Sequence, residues 1–184
     1  MQAAGIAHDY EEIDIWSPRE SRAVEFRKNA KFHEVPLLID NGYAYIQSNA
    51  ILMYLAHKLG NYGAEDSQLM ARCNQWLLWE ANRIGMCLPQ LRSVQRFKNH
   101  GINEGARQWL LERYKHDVGV IETEFADGRS FILGSRPTIA DFALSGYLFY
   151  EGEADVEVPP GVSRWLKRMS ALPGWQHPYQ LLKE

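Results

Sequence analysis

The chain is poor in cysteine. Cys73 and Cys87 are the only two in 184 residues. Were both on one helix, a separation of 14 residues would set them about 21 Å apart at ~1.5 Å per residue. A disulfide spans no more than about 7 Å between Cα atoms. They form neither a CxxC redox pair nor a metal-ligand pair, so no metal is expected, and a reducing cytoplasm is the expected location. Long hydrophobic runs are also lacking. No stretch reaches the roughly 18 apolar residues that cross a bilayer, and the opening MQAAGIAHDYEE has neither a basic leader nor a long apolar core. No membrane partner and no secretory signal are expected. A basic excess is missing as well: 20 Lys and Arg face 23 Asp and Glu, for a net charge of −3. That argues against a surface that tracks nucleic-acid phosphates. There are no internal repeats and no low-complexity tracts.

What is present is ordinary globular composition, 46% hydrophobic and 23% charged, enough to fold without disorder. Aromatics make up 12%, with six Trp and nine Tyr, which calls for a substantial core or interface. Residues 1 to 60 alternate in type. Gly5-Ile6-Ala7 reads as a helix end with Gly relaxing the backbone. His8 to Ile15 alternates as a short strand. Ser17-Pro18 opens a helix over Arg19 to Asn29. Val35 to Ile39 reads as a strand, Asp40-Asn41-Gly42 as a hairpin turn and Tyr43 to Ile46 as the returning strand. Ser48 begins a helix through Leu59, and Gly60 to Gly63 forms a linker. Residues 65 to 184 read as helices alone: Ser67 to about Met86, Asn103 to Glu124, Thr138 to Tyr150, and Val162 to Ala171 before Pro173-Gly174. An α/β domain over 1–60 joined to an all-helical domain over 65–184 follows.

The chemistry concentrates in Val35 to Ile51, VPLLIDNGYAYIQSNAI. Pro36 at the mouth of a strand cannot donate to the sheet. A cis bond at Val35-Pro36 would turn the Val35 backbone toward an extended peptide ligand. Gln47-Ser48 opens a helix whose amides, dipole and Ser hydroxyl suit a carboxylate. Each feature has an ordinary reading, an edge-strand proline and a plain N-cap serine. Together across one hairpin they suit a small peptide acid.

VPLLIDNGYAYIQSNAILMYL resembles the glutathione-binding strand, hairpin and helix of cytosolic glutathione S-transferases. RPTIADFAL resembles that family's buried capping box, with Thr138 as N-cap and Asp141 reaching back. LPGW at 172–175 resembles its C-terminal stop. The resemblance covers nearly the whole chain. It implies a thioredoxin-like N-terminal domain, lacking its first strand here, followed by the family's helical domain. It implies that Val35, beside Pro36, exchanges backbone hydrogen bonds with the cysteinyl part of glutathione. Gln47 and Ser48 would hold the γ-glutamyl carboxylate. Glu34 stands where many members have Gln or Lys and would face the glycyl carboxylate; His33 would compensate as a cation. Trp76, Trp79, Arg83 and Met86 would wall the electrophile pocket, while Cys87 reads as a quiet buried thiol. A homodimer is implied, with the Ser48 and Ser67 helices facing the partner.

The resemblance also places a first strand and the thiol-activating Tyr, Ser or Cys ahead of Gly5, and only four residues precede it here. The expectation is that both lie upstream of Met1. A strand supplied by another chain and a degenerate, non-catalytic member are the alternatives. The implied activity is transfer of the glutathione thiol to a small hydrophobic electrophile. The competing reading is a binding or interaction protein that keeps the fold without the reaction.

Overall fold

Asn41 and Gly42 both hold positive φ, 50° and 80°, as a two-residue type I′ hairpin turn requires. They join β1 (Leu37–Asp40) to β2 (Tyr43–Ile46). The antiparallel register is Leu37↔Ile46, Leu38↔Tyr45, Ile39↔Ala44 and Asp40↔Tyr43. The computed structural model describes residues 1–98 and 101–181, and these strands form its two-stranded sheet. The chain divides into two compact units, Met1–Leu59 with Pro173–Glu184, and Gly60–Leu172.

In the first unit, Gly5 closes a short 3-10 turn, Gln2–Ala4, at φ 64°. Residues 8–15 do not form the strand that their alternation suggests. Periodicity supplies a face, but a strand also needs a neighbouring ladder. β1 and β2 pair only with each other among the described residues, and Tyr10 and Ile15 stay exposed. The helix expected over 19–29 is split into a 3-10 turn, Arg19–Ser21, and α1, Val24–Asn29. Arg22 and Ala23 between them are not helical, with ψ of 157° and 136°. After β2, α2 (Ser48–Leu59) packs on that strand. Asp40 accepts from the Tyr54 hydroxyl at 2.7 Å and pairs with Lys58, tying hairpin to helix. Phe26, Ala30, Ile51 and Ala56 are buried. The tail, which the sequence reading assigns to the helical domain, belongs with this unit: at Gly174 (φ 69°) a Cβ would stand 2.9 Å from the Gln2 carbonyl oxygen. α9 (Pro178–Leu181) ends it.

The second unit is helical: α3 (Ser67–Asn82), α4 (Ile84–Phe97), α5 (Glu104–Glu124), α6 (Ile139–Leu148), α7 (Glu151–Ala154) and α8 (Pro160–Ser170). α4 packs on α5 and α7, α3 on α6, and α8 on α5 and α6. The single helix expected from Ser67 to Met86 stops at Asn82. Arg83, at φ −122° and ψ −94°, breaks it, and α4 continues past Pro89. The joint is tight because Gly85 has no side chain: a Cβ there would lie 2.5 Å from Oε1 of the buried Glu80. Cys73 and Cys87 therefore lie on different helices, both free and buried.

Candidate functional site

The register of the hairpin decides what faces what at its open end. Leu37 lies opposite Ile46 in the last pair of the ladder; Val35 comes two residues before Leu37, and Ser48, the first residue of α2, two residues after Ile46. The Val35-Pro36 bond is cis. Val35 is 47% exposed, and among the described residues no hydrogen bond engages its amide or carbonyl. Ser48 is exposed at the N-terminal tip of a 12-residue helix. The helical ladder starts with Ile51 N–H on the Gln47 carbonyl at 3.0 Å, and the first-turn amides point out of the helix end. That end carries roughly half a positive charge. Unengaged backbone groups at Val35 and the outward-pointing amides of α2 thus both lie at the open end of the hairpin.

Two neighbours hold this opening in shape. Gln47 adopts φ 69° and His33 φ 57°, conformations that cost a side-chain-bearing residue about 1–2 kcal/mol. His33 is fixed from both sides: its N–H donates to the Ala30 carbonyl at 2.8 Å, and its carbonyl accepts from Arg22 Nη1 at 3.1 Å. The same guanidinium reaches the carbonyls of Ile15 (2.6 Å) and Ser17 (3.2 Å). Nothing in the sequence reading singled out Arg22. Gln47 Nε2 donates to Glu34 Oε2 at 3.1 Å, which joins the residue before Val35 to the residue before Ser48.

The second unit is organised around one carboxylate. Thr138 and Asp141 form a reciprocal capping box at the start of α6. Asp141 accepts from the Thr138 amide (2.8 Å) and hydroxyl (3.0 Å), from the Ile132 amide (2.8 Å) and from Trp165 Nε1 (2.9 Å). Phe142 packs edge-on against Tyr62 at 5.4 Å, and Ile139 N–H donates to the Tyr62 carbonyl.

Family models match both units. One described as glutathione S-transferase, N-terminal domain covers residues 2–57, and one described as glutathione S-transferase, C-terminal domain covers 92–168. The chain belongs to the glutathione S-transferase family. It is similar to glutathione S-transferase D7 of Drosophila melanogaster, at 28% identity over 87% of this chain and 72% of that protein. A possible glutathione S-transferase from Rhodopseudomonas palustris matches at TM-score 0.80 and 26% identity, over 96% of this chain and 80% of that one. A glutathione transferase from Burkholderia graminis, solved with two glutathione molecules bound per subunit, matches at TM-score 0.69 and 27% identity, over 83% and 69%. The thioredoxin-like first unit and the helical second unit are those of the glutathione S-transferase fold.

The residues expected to meet an electrophile lie on α3, α4 and their joint. Trp76 and Trp79 are half-buried and meet edge to face at 5.4 Å. Met86 is half-buried on α4. Arg83 is turned to Asp117, Nη1 to Oδ1 at 3.9 Å. Asp117 is buried, and its Oδ2 has no hydrogen-bond partner. Burial raises the Asp117 pKa against the opposing pull of Arg83, Arg113 and His116. Burial also pushes the Cys73 and Cys87 thiols up, so both disfavour the nucleophilic thiolate form. Among the described residues no three His, Cys, Asp or Glu side chains cluster to hold a metal ion, and no helix is long and apolar enough to cross a membrane.

Proposed function

We propose that this protein binds glutathione in its first unit and transfers the tripeptide's thiol to a small hydrophobic electrophile, acting as a cytoplasmic homodimer. The observation that supports the proposal is the hairpin, whose open end leads on one side back through the cis Val35-Pro36 bond and on the other into the exposed start of α2. Val35, presented beside Pro36, exchanges backbone hydrogen bonds with the cysteinyl residue, as an added strand does. Ser48 and the amides of α2, bordered by Gln47, take the γ-glutamyl carboxylate. His33 and Glu34 flank the same opening. Trp76, Trp79, Met86 and the stem of Arg83 offer apolar surface to the electrophile. The glutathione carried by the Burkholderia graminis relative supports the ligand, and the name of the Drosophila relative supports the reaction class.

The chain's part in the chemistry is placement. Fixing the tripeptide at two points holds its sulfur for attack and removes orientational freedom before the reaction. The thiol gives up its proton to solvent, the sulfur forms a bond to the electrophilic carbon, and the leaving group departs with its electron pair. Retention of the full chain on immobilised glutathione, with turnover of 1-chloro-2,4-dinitrobenzene to its thioether and chloride, is the expected result. Absence of retention overturns the proposal in favour of a binding or interaction protein on the same fold. Dimerisation through α2 and α3 is checked by light scattering coupled to size exclusion.

A further inference from the structure

The chain that leads into Val35 is gripped from one place, the Arg22 side chain. Its guanidinium donates through Nη1 to the His33 carbonyl at 3.1 Å, and through Nη2 to the carbonyls of Ile15 at 2.6 Å and Ser17 at 3.2 Å. Each end of this bridge is a turn closed by its own bonds. At one end the Trp16 amide and the Ser17 hydroxyl donate to Asp14, at 2.9 and 2.7 Å. At the other the His33 amide donates to the Ala30 carbonyl, with His33 at φ 57°. Arg22 is itself anchored, because its carbonyl accepts from Arg27 Nε at 3.1 Å. Between His33 and Leu37, where the ladder with β2 begins, no backbone hydrogen bond holds the chain among the described residues. A carbonyl fixed by a charged donor sets the plane of the rigid His33-Glu34 peptide unit, and the amide of Val35 belongs to the next one. Among the described residues no Asp or Glu pairs with Arg22, and its Nε is buried without a partner. A guanidinium held on carbonyls alone, with one donor left unsatisfied, acts through the geometry of its fork.

Resting on the proposed glutathione clamp, we infer that Arg22 is a positioning residue for that site: its fork ties the 14–17 turn to the His33 turn and so holds the backbone of 33–35 in its ligand-binding conformation before the tripeptide arrives. Arg22 bonds to backbone carbonyls and acts on the ligand only through the chain. A binding edge that is ordered in advance spares the ligand the entropy of ordering it. Without the fork, that cost falls on binding, and affinity drops while the rest of the fold stays in place. A point charge in the same position does not substitute, because the two nitrogens serve opposite ends of the bridge.

Isothermal titration calorimetry of the full chain with S-methylglutathione, well below each variant's melting temperature, tests this. Arg22→Ala is expected to raise the dissociation constant about fivefold to thirtyfold, the factor that corresponds to about 1–2 kcal/mol for ordering one backbone residue. Arg22→Lys keeps the charge and loses the fork, and is expected to stay at least about threefold weaker than the wild type. In nitrogen–proton correlation spectra of the ligand-free variants, the Glu34 and Val35 amide signals are expected to shift and broaden, which a general loss of stability in a folded variant does not produce. An unchanged constant in Arg22→Ala overturns the assignment. Wild-type affinity in Arg22→Lys traces the effect to charge and overturns it too, as do unshifted Glu34 and Val35 signals. Where Arg22→Ala does not fold, Arg22→Lys decides by the same criteria. Absence of binding by the wild type is a separate result: it overturns the clamp, and the role of Arg22 in it, before any variant is compared.

Discussion

Ser48 and Asp117 show how differently two polar residues act according to where the chain puts them. Ser48 is exposed at a helix tip, where in the proposed clamp its hydroxyl would add one charge-assisted bond to a bound carboxylate. Replacing it by Ala is expected to raise the dissociation constant for glutathione by about 10-fold to 150-fold, at about 1.5–3 kcal/mol for such a bond, with little change in melting temperature. An unchanged constant measured by calorimetry would remove Ser48 from the site. Asp117 is buried with one oxygen unpartnered, and burial raises its pKa in the folded state. Its folded pKa thus exceeds the unfolded value of about 3.9, and the folded state holds the proton more tightly. The stability this group contributes is full below that unfolded value and is lost as pH rises through the folded pKa. Asp117→Asn removes the titration. The melting temperature of the variant minus that of the wild type is therefore expected to be larger near about pH 7.5 than near about pH 4. A gap equal at both pH values refutes the linkage.

At the scale of elements, ends and joints decide more than interiors do. The capping box of α6 does more than close a helix, because the Asp141 carboxylate also collects the Ile132 amide and the Trp165 indole from the chain on either side. Asp141→Ala leaves these donors and the Thr138 amide without their acceptor in the core. At about 1–3 kcal/mol for each unsatisfied group, the loss is expected to reach at least about 3 kcal/mol. Differential scanning calorimetry should show a fall in melting temperature of roughly 6–12 °C; a fall below about 2 °C would mean that the network contributes little. The start of α8 is closed in a less legible way. Glu122, on α5, accepts from the Gly161 and Val162 amides at 2.9 and 2.8 Å, and a Cβ at Gly161 would collide with it at 2.6 Å. No local signature announces a cap supplied from 39 residues away.

Across the whole molecule, burial is uneven between the two units. The first buries Phe26, Ala30, Ile51 and Ala56, and leaves Tyr10, Trp16, Val24 and Tyr43 more than 60% exposed. The second buries Ile121, Leu144, Leu148, Trp165 and Met169 almost completely. Local opening is easiest where few apolar contacts oppose it. Hydrogen exchange followed by mass spectrometry is expected to find the most protected amides in α5, α6 and α8, and faster exchange throughout β1, β2 and α2. Slowest exchange in the hairpin would contradict this. The segment 8–15 belongs to the same account: its alternation prepares one apolar face, yet a face without a neighbouring ladder remains loop.

What could be read from the sequence alone was local. Asn41-Gly42 specified the hairpin because few residues tolerate positive φ at two successive positions. Thr138 and Asp141 specified a helix start because their side chains cap the backbone within one turn. Those two signals, with Val35-Pro36 and Gln47-Ser48, carried the family and its fold. Only the tertiary structure decided the rest: the break at Arg83, the continuation of α4 through Pro89, the Arg22 guanidinium at the His33 carbonyl, the Glu122 cap and the pairing of Glu34 with Gln47. Each depends on which distant residue is at hand to receive a hydrogen bond or leave room for one. Periodicity and propensity describe a residue's neighbours along the chain, and those partners become neighbours only after the chain has folded.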